Sequence, residues 1–233
     1  MTRPSPEGEA LCAALKARGC DPVFFPVIII QPFRNDRLRQ QIAFLNHYDW
    51  IIFVSRHAVA TSAPLIQEQW PLFPSSVTVA AVGAGTAQAL RHAQLPVHLY
   101  PPQWSSEGLL ALKELQEVSG KKIAIVCGQG GRELLATTLR ARGAIITSII
   151  SYQRALPPLS SCIDVAGLDA IICTSVQGLT NLQQLIPDPA LKKIPLVLIS
   201  ERIMIQAEVQ GFMTCIRAED ASFESIWKVL ERV

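Results

Sequence analysis

The chain carries two copies of one pattern, and any fold for it has to hold both. Leu15-Lys16-Ala17-Arg18-Gly19 returns as Leu139-Arg140-Ala141-Arg142-Gly143, with Glu9 and Glu133 at the same offset. Tyr48-Asp49-Trp50-Ile51-Ile52-Phe53-Val54-Ser55 returns as Leu168-Asp169-Ala170-Ile171-Ile172-Cys173-Thr174-Ser175, and Ser105-Ser106-Glu107-Gly108-Leu109 is echoed by Ser222-Phe223-Glu224-Ser225-Ile226. Self-similarity at this spacing marks a duplicated structural unit. The copies run over about 3–115 and 122–231.

Each copy alternates short apolar runs with helical patterns. Expected strands are Val23–Ile30, Trp50–Ser55, Val77–Val82, Val97–Tyr100, Lys122–Cys127, Ala144–Tyr152, Ala170–Thr174, Leu196–Ser200 and Phe212–Arg217. Several are apolar at consecutive positions, as parallel strands buried on both faces are. Expected helices include Gly8–Arg18, Gly85–Ala93, Ser106–Gln116, Gly131–Arg142 and Ile203–Gln210. Arg18-Gly19 and Arg142-Gly143 read as helix ends, with a cation in the last turn and glycine just past it. Alternation of this kind implies an α/β fold built on parallel sheet.

Two similar units make two flavodoxin-like parallel-sheet lobes, and a cleft between lobes is the default ligand site. The junction between the copies, Gln116 to Lys121, is short, whereas the polar stretches near 34–48 and 154–167 look like linkers. Segment exchange follows: residues 1–33 and 168–233 form one lobe, 47–152 the other, and 34–46 and 153–167 connect them. The repeat also places a strand before helix Gly8–Arg18, so Met1 is expected to start inside or after a strand.

Composition excludes several classes. Residues 34–150 hold 11 Lys/Arg against 7 Asp/Glu, and 151–233 hold 7 against 9. Neither balance suits nucleic acid, though the first suits a small acidic ligand. The longest apolar run, Val23–Ile30, is broken by Pro26 and far short of the ~20 residues a membrane span needs. The first residues lack the pattern of a secretory leader. Six cysteines form no C-x-x-C pair and read as reduced residues of a cytoplasmic protein. His47, His57, His92 and His98 lack metal-ligand spacing, so no metal is expected.

The candidate site residues stand where strands pass into helices. Val82-Gly83-Ala84-Gly85-Thr86 is a strand, a glycine turn and a helix start, whose N–H groups can hold an anion. Gln88 stands where a third glycine would complete a dinucleotide fingerprint. Gly128-Gln129-Gly130-Gly131-Arg132-Glu133 opens another helix without the Gly-Lys-Ser/Thr of a P-loop, and its three glycines serve either as a backbone anion nest or as a structural turn. Arg132 opposes the helix dipole there, which points to an anionic partner. Ser55-Arg56-His57 sits at a strand end but has no orienting acid for nucleophilic catalysis. Tyr152-Gln153-Arg154 closes a strand at the second linker, so Tyr152 serves either as a hydrogen-bond donor or as a packing residue.

Taken together, these residues resemble the uroporphyrinogen-III synthase family over nearly the whole chain. The stretch Gly128-Gln129-Gly130-Gly131-Arg132-Glu133-Leu134-Leu135 through Leu139–Ala144 to Tyr152-Gln153-Arg154 is the most similar. Ser55-Arg56-His57-Ala58-Val59, Val82-Gly83 with Thr86-Ala87, Ser106-Glu107-Gly108-Leu109-Leu110 and Thr174-Ser175 with Gly178-Leu179 support it. The resemblance implies two lobes on a two-stranded connector and a cofactor-free lyase that is monomeric and cytoplasmic. It implies a small-molecule substrate, hydroxymethylbilane, closed to uroporphyrinogen III with loss of water and inversion of ring D. Tyr152 is the implied proton donor; Ser55, Thr86 and Ser175 line the site. Gly83, Gly128 and Arg132 join them as substrate-binding positions. Ser200 and Arg202 stand in Ser200-Glu201-Arg202-Ile203, where many members carry threonine. Contact with the preceding pathway enzyme is a further expectation. A non-enzymatic two-lobed binder or sensor is the alternative that the residues alone leave open.

Overall fold

The computed structural model describes residues 1–131, 133–158 and 163–232. In chain order the elements are α1 (Glu7–Lys16), β1 (Ile29–Pro32), α2 (Asp36–Ala43), β2 (Trp50–Phe53), α3 (Arg56–Gln69), β3 (Thr78–Ala81), α4 (Ala84–His92) and α5 (Ser106–Leu110). They continue as β4 (Lys122–Gly128), α6 (Leu134–Ala141), β5 (Ile145–Ala155), β6 (Ile171–Cys173), α7 (Val176–Leu185), β7 (Leu196–Leu198), α8 (Glu201–Val209), β8 (Cys215–Arg217) and α9 (Phe223–Leu230). The chain divides into two compact units, Met1–Ile29 with Ala155–Val233, and Ile30–Arg154.

The unit Ile30–Arg154 is built on a sheet of order β1-β5-β4-β2-β3, in which β2 pairs in parallel with β3 and β4, and β4 with β5. Alternation along the strands sends Ile51, Phe53, Ala124 and Val126 to one core and Ile52, Ile123 and Ile125 to the other. Helices α2, α3 and α4 cover the first face; α5 and α6 cover the second. Burial on both faces is why these strands read as unbroken apolar runs. Serine caps set the helix starts: Ser55 Oγ accepts the Ala58 N–H at 3.1 Å, and Ser105 Oγ that of Gly108 at 2.9 Å.

The other unit has the parallel sheet β6-β7-β8. Ile171, Cys173, Leu196 and Leu198 pack under α7 and α8, while Ile172 and Val197 pack under α1 and α9. The Thr2 N–H donates to the Ile172 carbonyl, and the Phe25 and Val27 N–H groups donate to the carbonyls of Met1 and Thr2. Residues 1–2 thus lie between β6 and the segment 25–27, the place where the repeat calls for a strand.

Several boundaries differ from the sequence expectation. Residues 34–46, read as a connector, contain α2, whose Leu38 and Ile42 are buried in a core. Arg37, Arg39 and Asp36 around those two residues hide a one-stripe amphipathic helix behind a polar average. Of the expected strand Val23–Ile30, only Ile29 and Ile30 belong to a regular strand, β1, which runs on to Pro32, while Phe25 and Val27 bond to residues 1–2 and Pro26 has no N–H to donate. Val97–Tyr100 makes one bridge, Leu99 to Ala80, at the edge of β3. Helix Ser106–Gln116 ends at Leu110, and the helix expected from Gly131 starts at Leu134. The strand expected to end at Tyr152 continues to Ala155.

Asp49 ties the start of β2 to that of β4. Its carboxylate accepts the Lys122 N–H at 2.8 Å and faces Lys121 Nζ at 3.2 Å. The Lys122 N–H, and after it the Lys121 ammonium, hold its carboxyl below the usual range. A depressed carboxyl stabilises the fold above its unfolded-state value, and the gain disappears as pH falls through the folded one. Solvent screening limits the effect, so Asp49→Ala is expected to cost about 0.5–1 kcal/mol at neutral pH. The gap between urea midpoints should be full at pH 7 and shrink as pH falls below the ordinary aspartate range; a gap that does not change with pH would assign the loss to something other than the carboxylate.

Candidate active site

Four neighbouring parallel strands of the unit Ile30–Arg154 deliver the candidate residues to one edge of its sheet. Ser55 follows β2, Gly83 follows β3, Gly128 ends β4 and Tyr152 lies late in β5. The carboxyl edge of a parallel sheet is where α/β folds hold ligands.

Tyr152 is the largest of these side chains and only 2% exposed. Strand order puts β4 between β5 and β2, so its ring must pass over the end of β4 to reach Ser55. Gly128 makes that passage. A Cβ there would lie 2.5, 2.6 and 3.0 Å from Tyr152 Cζ, Cε2 and Cε1. The β4–β5 register shifts between Cys127 and Gly128, which brings Gly128 opposite Tyr152. Across the glycine, Tyr152 Oη stands 3.1 Å from Ser55 Oγ. The His57 ring meets the Tyr152 ring edge-on, with centroids 6.0 Å apart.

This arrangement revises the reading of Gly128-Gln129-Gly130-Gly131-Arg132-Glu133. The Gln129 N–H donates to the Tyr152 carbonyl at 2.8 Å and is not open to an anion. Gly130 does adopt a left-handed conformation, φ 67°, which favours glycine. The lack of a side chain at Gly128 serves the tyrosine ring. Arg132 lies outside the described residues.

At β3, Gly83 precedes α4 with no side-chain cap, and Thr86 in the first turn is buried. The Gly83 backbone is extended, φ −166°, so it is space that glycine supplies. A Cβ would lie 3.0 Å from Cβ of Trp104. Trp104 is 71% exposed. Sequence reasoning passed it over, although a tryptophan beside Ser105-Ser106-Glu107 at a helix start was a visible signal.

In the other unit, Ser175 follows β6 and its Oγ accepts the Gly178 N–H at 2.9 Å, repeating the role of Ser55. Ser200 follows the neighbouring strand β7 and precedes α8 without a capping bond from its side chain. Arg202 is exposed in the first turn of α8, while Glu201 pairs with Arg217 at 3.2 Å. Three of the candidate residues, Ser175, Ser200 and Arg202, thus stand at the carboxyl edge of this second sheet. Taken separately, each sheet edge offers hydroxyls and backbone N–H groups, a chemistry suited to binding carboxylates, and the edge in the unit Ile30–Arg154 adds the Tyr152 phenol.

Known proteins agree with one another about this chain. The family model described as uroporphyrinogen-III synthase HemD matches residues 9–228. The chain is 34% identical to uroporphyrinogen-III synthase of Escherichia coli K12, over 99% of this chain and 98% of that protein. Against the Synechococcus elongatus enzyme of the same name, identity is 28% over 79% of this chain and 72% of the relative. In fold it is similar to a mutant uroporphyrinogen III synthase of Thermus thermophilus, with a TM-score of 0.62 at 20% identity, covering 100% of this chain and 98% of the other. The Helicobacter pylori uroporphyrinogen-III synthetase gives a TM-score of 0.61 at 12% identity, covering 90% and 93%. With the family pattern running along almost its full length, the chain belongs to the uroporphyrinogen-III synthase family.

Proposed function

We propose that the chain closes hydroxymethylbilane, a linear tetrapyrrole bearing eight carboxylates, to uroporphyrinogen III with loss of water and inversion of ring D. The observation that carries this reading is the 34% identity to the E. coli enzyme across 99% of the chain. The reaction is that of a cofactor-independent lyase. The bilane closes unaided without inversion, so the protein's task is to fold it and favour one point of attack. Backbone N–H groups at the starts of α4, α7 and α8 are assigned to substrate carboxylates, as are Gly83, Thr86, Ser175, Ser200 and Arg202. Arg132 is assigned to the same substrate-binding set, whereas Gly128 contributes by leaving room for the Tyr152 ring. The hydrogen-bonded hydroxyls of Tyr152 and Ser55 are the source of the proton that lets the terminal hydroxyl leave as water. Fixed dipoles and the substrate's own carboxylates steady the azafulvene cation that forms.

The same reading holds the protein to be a cytoplasmic monomer of two lobes with exchanged segments, 1–33 with 168–233 and 47–152. The division of the chain at Ile29/Ile30 and Arg154/Ala155 supports that exchange. No described helix is long and apolar enough to cross a membrane. Contact with the enzyme that supplies the unstable bilane belongs to this reading too.

The test is the isomer ratio of uroporphyrinogen formed from hydroxymethylbilane. With the protein, type III is expected to dominate; without it, type I. Type I alone in both reactions would overturn the proposal.

A further inference from the structure

We propose that Ser55 is the catalytic residue that hands the proton to the leaving hydroxyl, and that Tyr152 is a positioning residue that acts through it. The proposal rests on the synthase reading and deepens it. Tyr152 offers 2% of its surface, whereas Ser55 is partly exposed at the carboxyl end of β2. Their oxygens are 3.1 Å apart. The bond's direction follows from what else each oxygen does. A hydroxyl donates once and accepts twice. Ser55 Oγ already accepts the Ala58 N–H at 3.1 Å, so one lone pair and one O–H remain.

If Ser55 donated to the phenol, the phenol's own proton would need a further acceptor in a buried place, where a donor without one is costly. In the proposed relay Tyr152 donates to Ser55, and the Ser55 O–H serves a group arriving at the sheet edge. The start of α3, whose positive end faces Ser55, favours negative charge building on that oxygen.

The proton count closes. The carbon–oxygen bond of the substrate's hydroxymethyl group breaks, its electron pair leaving with oxygen. That oxygen takes the Ser55 proton and departs as water, while Ser55 takes the proton of Tyr152. A phenolate then balances the azafulvene cation. When the new carbon–carbon bond has closed the ring, the proton shed at rearomatisation returns through Ser55 to Tyr152. Gly128 keeps the relay in reach, since the ring crosses where its Cβ would be.

The test is a double-mutant cycle on the full chain, read as kcat for uroporphyrinogen III from hydroxymethylbilane, with KM and thermal midpoints measured beside it. Ser55→Ala is expected to lower kcat about 30-fold or more, Tyr152→Phe about 10- to 100-fold. With Ser55 already alanine, adding Tyr152→Phe should change kcat less than twofold, because the route is already cut. Ser55→Thr, which keeps both the hydroxyl and the cap, should recover at least a third of wild-type kcat. KM should move less than threefold throughout. The relay is overturned if Tyr152→Phe costs the same factor in both backgrounds. It is equally overturned if Ser55→Ala turns over at the wild-type rate, or if Ser55→Thr is as slow as Ser55→Ala at an unchanged midpoint. Wild-type protein that makes no type III isomer overturns the synthase reading and the relay together; the other outcomes leave the synthase reading standing.

Discussion

Gly128→Val is expected to lower turnover at least as far as removing the Tyr152 hydroxyl does, and to destabilise the unit Ile30–Arg154 as well. A Cβ at 128 meets three ring carbons at 2.5 to 3.0 Å, and the branched valine adds two methyl groups at the same place. The ring is 2% exposed and packed in the core beside Phe53, Val126 and Ile149, so it has little room to retreat. Overfilling a packed core costs about 1–3 kcal/mol, and displacing the ring takes its hydroxyl away from Ser55. Gly85→Ala is the control, because a Cβ there has nothing within 4 Å and alanine is the better helix former. Thermal unfolding should show a lowered midpoint for the first variant and an unchanged or raised one for the second. A Gly128→Val protein with wild-type midpoint and wild-type rate would show that the ring does not depend on the glycine.

Tyr152→Phe is expected to keep the fold and lose about 10- to 100-fold in kcat, the low end of what a positioned acid contributes. The ring stays, so packing is retained, and one hydrogen bond worth about 1 kcal/mol is lost. The loss is at the low end because the bilane parts easily with its hydroxyl, and water or a substrate carboxylic acid can donate instead. The preference for the inverted isomer should survive better than the rate, since inversion depends on how the whole bilane is held. Thr86→Val should slow the reaction less than Tyr152→Phe. Wild-type kcat with an unchanged midpoint would make Tyr152 a packing residue and remove it from the route of the proton.

Much of the architecture was written in local signals. Consecutive apolar residues such as Trp50–Phe53 and Ile123–Val126 announced strands covered on both sides, and the sheet of the unit Ile30–Arg154 buries them so. Arg18-Gly19 and Arg142-Gly143 announced helix ends, and both glycines adopt a left-handed φ, 87° and 85°. Ser55 and Ser175, matched by the repeat, cap equivalent helices through equivalent bonds. Helix α2 escaped notice because two buried residues among charges leave only a faint periodic trace.

The site was legible in part. Ser55, Gly83, Thr86, Gly128 and Tyr152 were all named from the ends of strands and the turns after them, and the parallel sheet carries them to one edge. What each does was not legible. Gly128 looked like part of an anion nest, and Trp104 drew no attention.

The sequence by itself determined the chemistry available, the alternation of strands and helices and the sites of several helix caps, because propensity, capping and periodicity act over neighbouring residues. Only the tertiary structure decided that Tyr152 meets Ser55, 97 residues away, across a glycine. That meeting depends on the strand order β5-β4-β2 and on a one-residue slip in the β4–β5 register. Both arise from the packing of strands distant in the chain, and no pattern within a single segment encodes them.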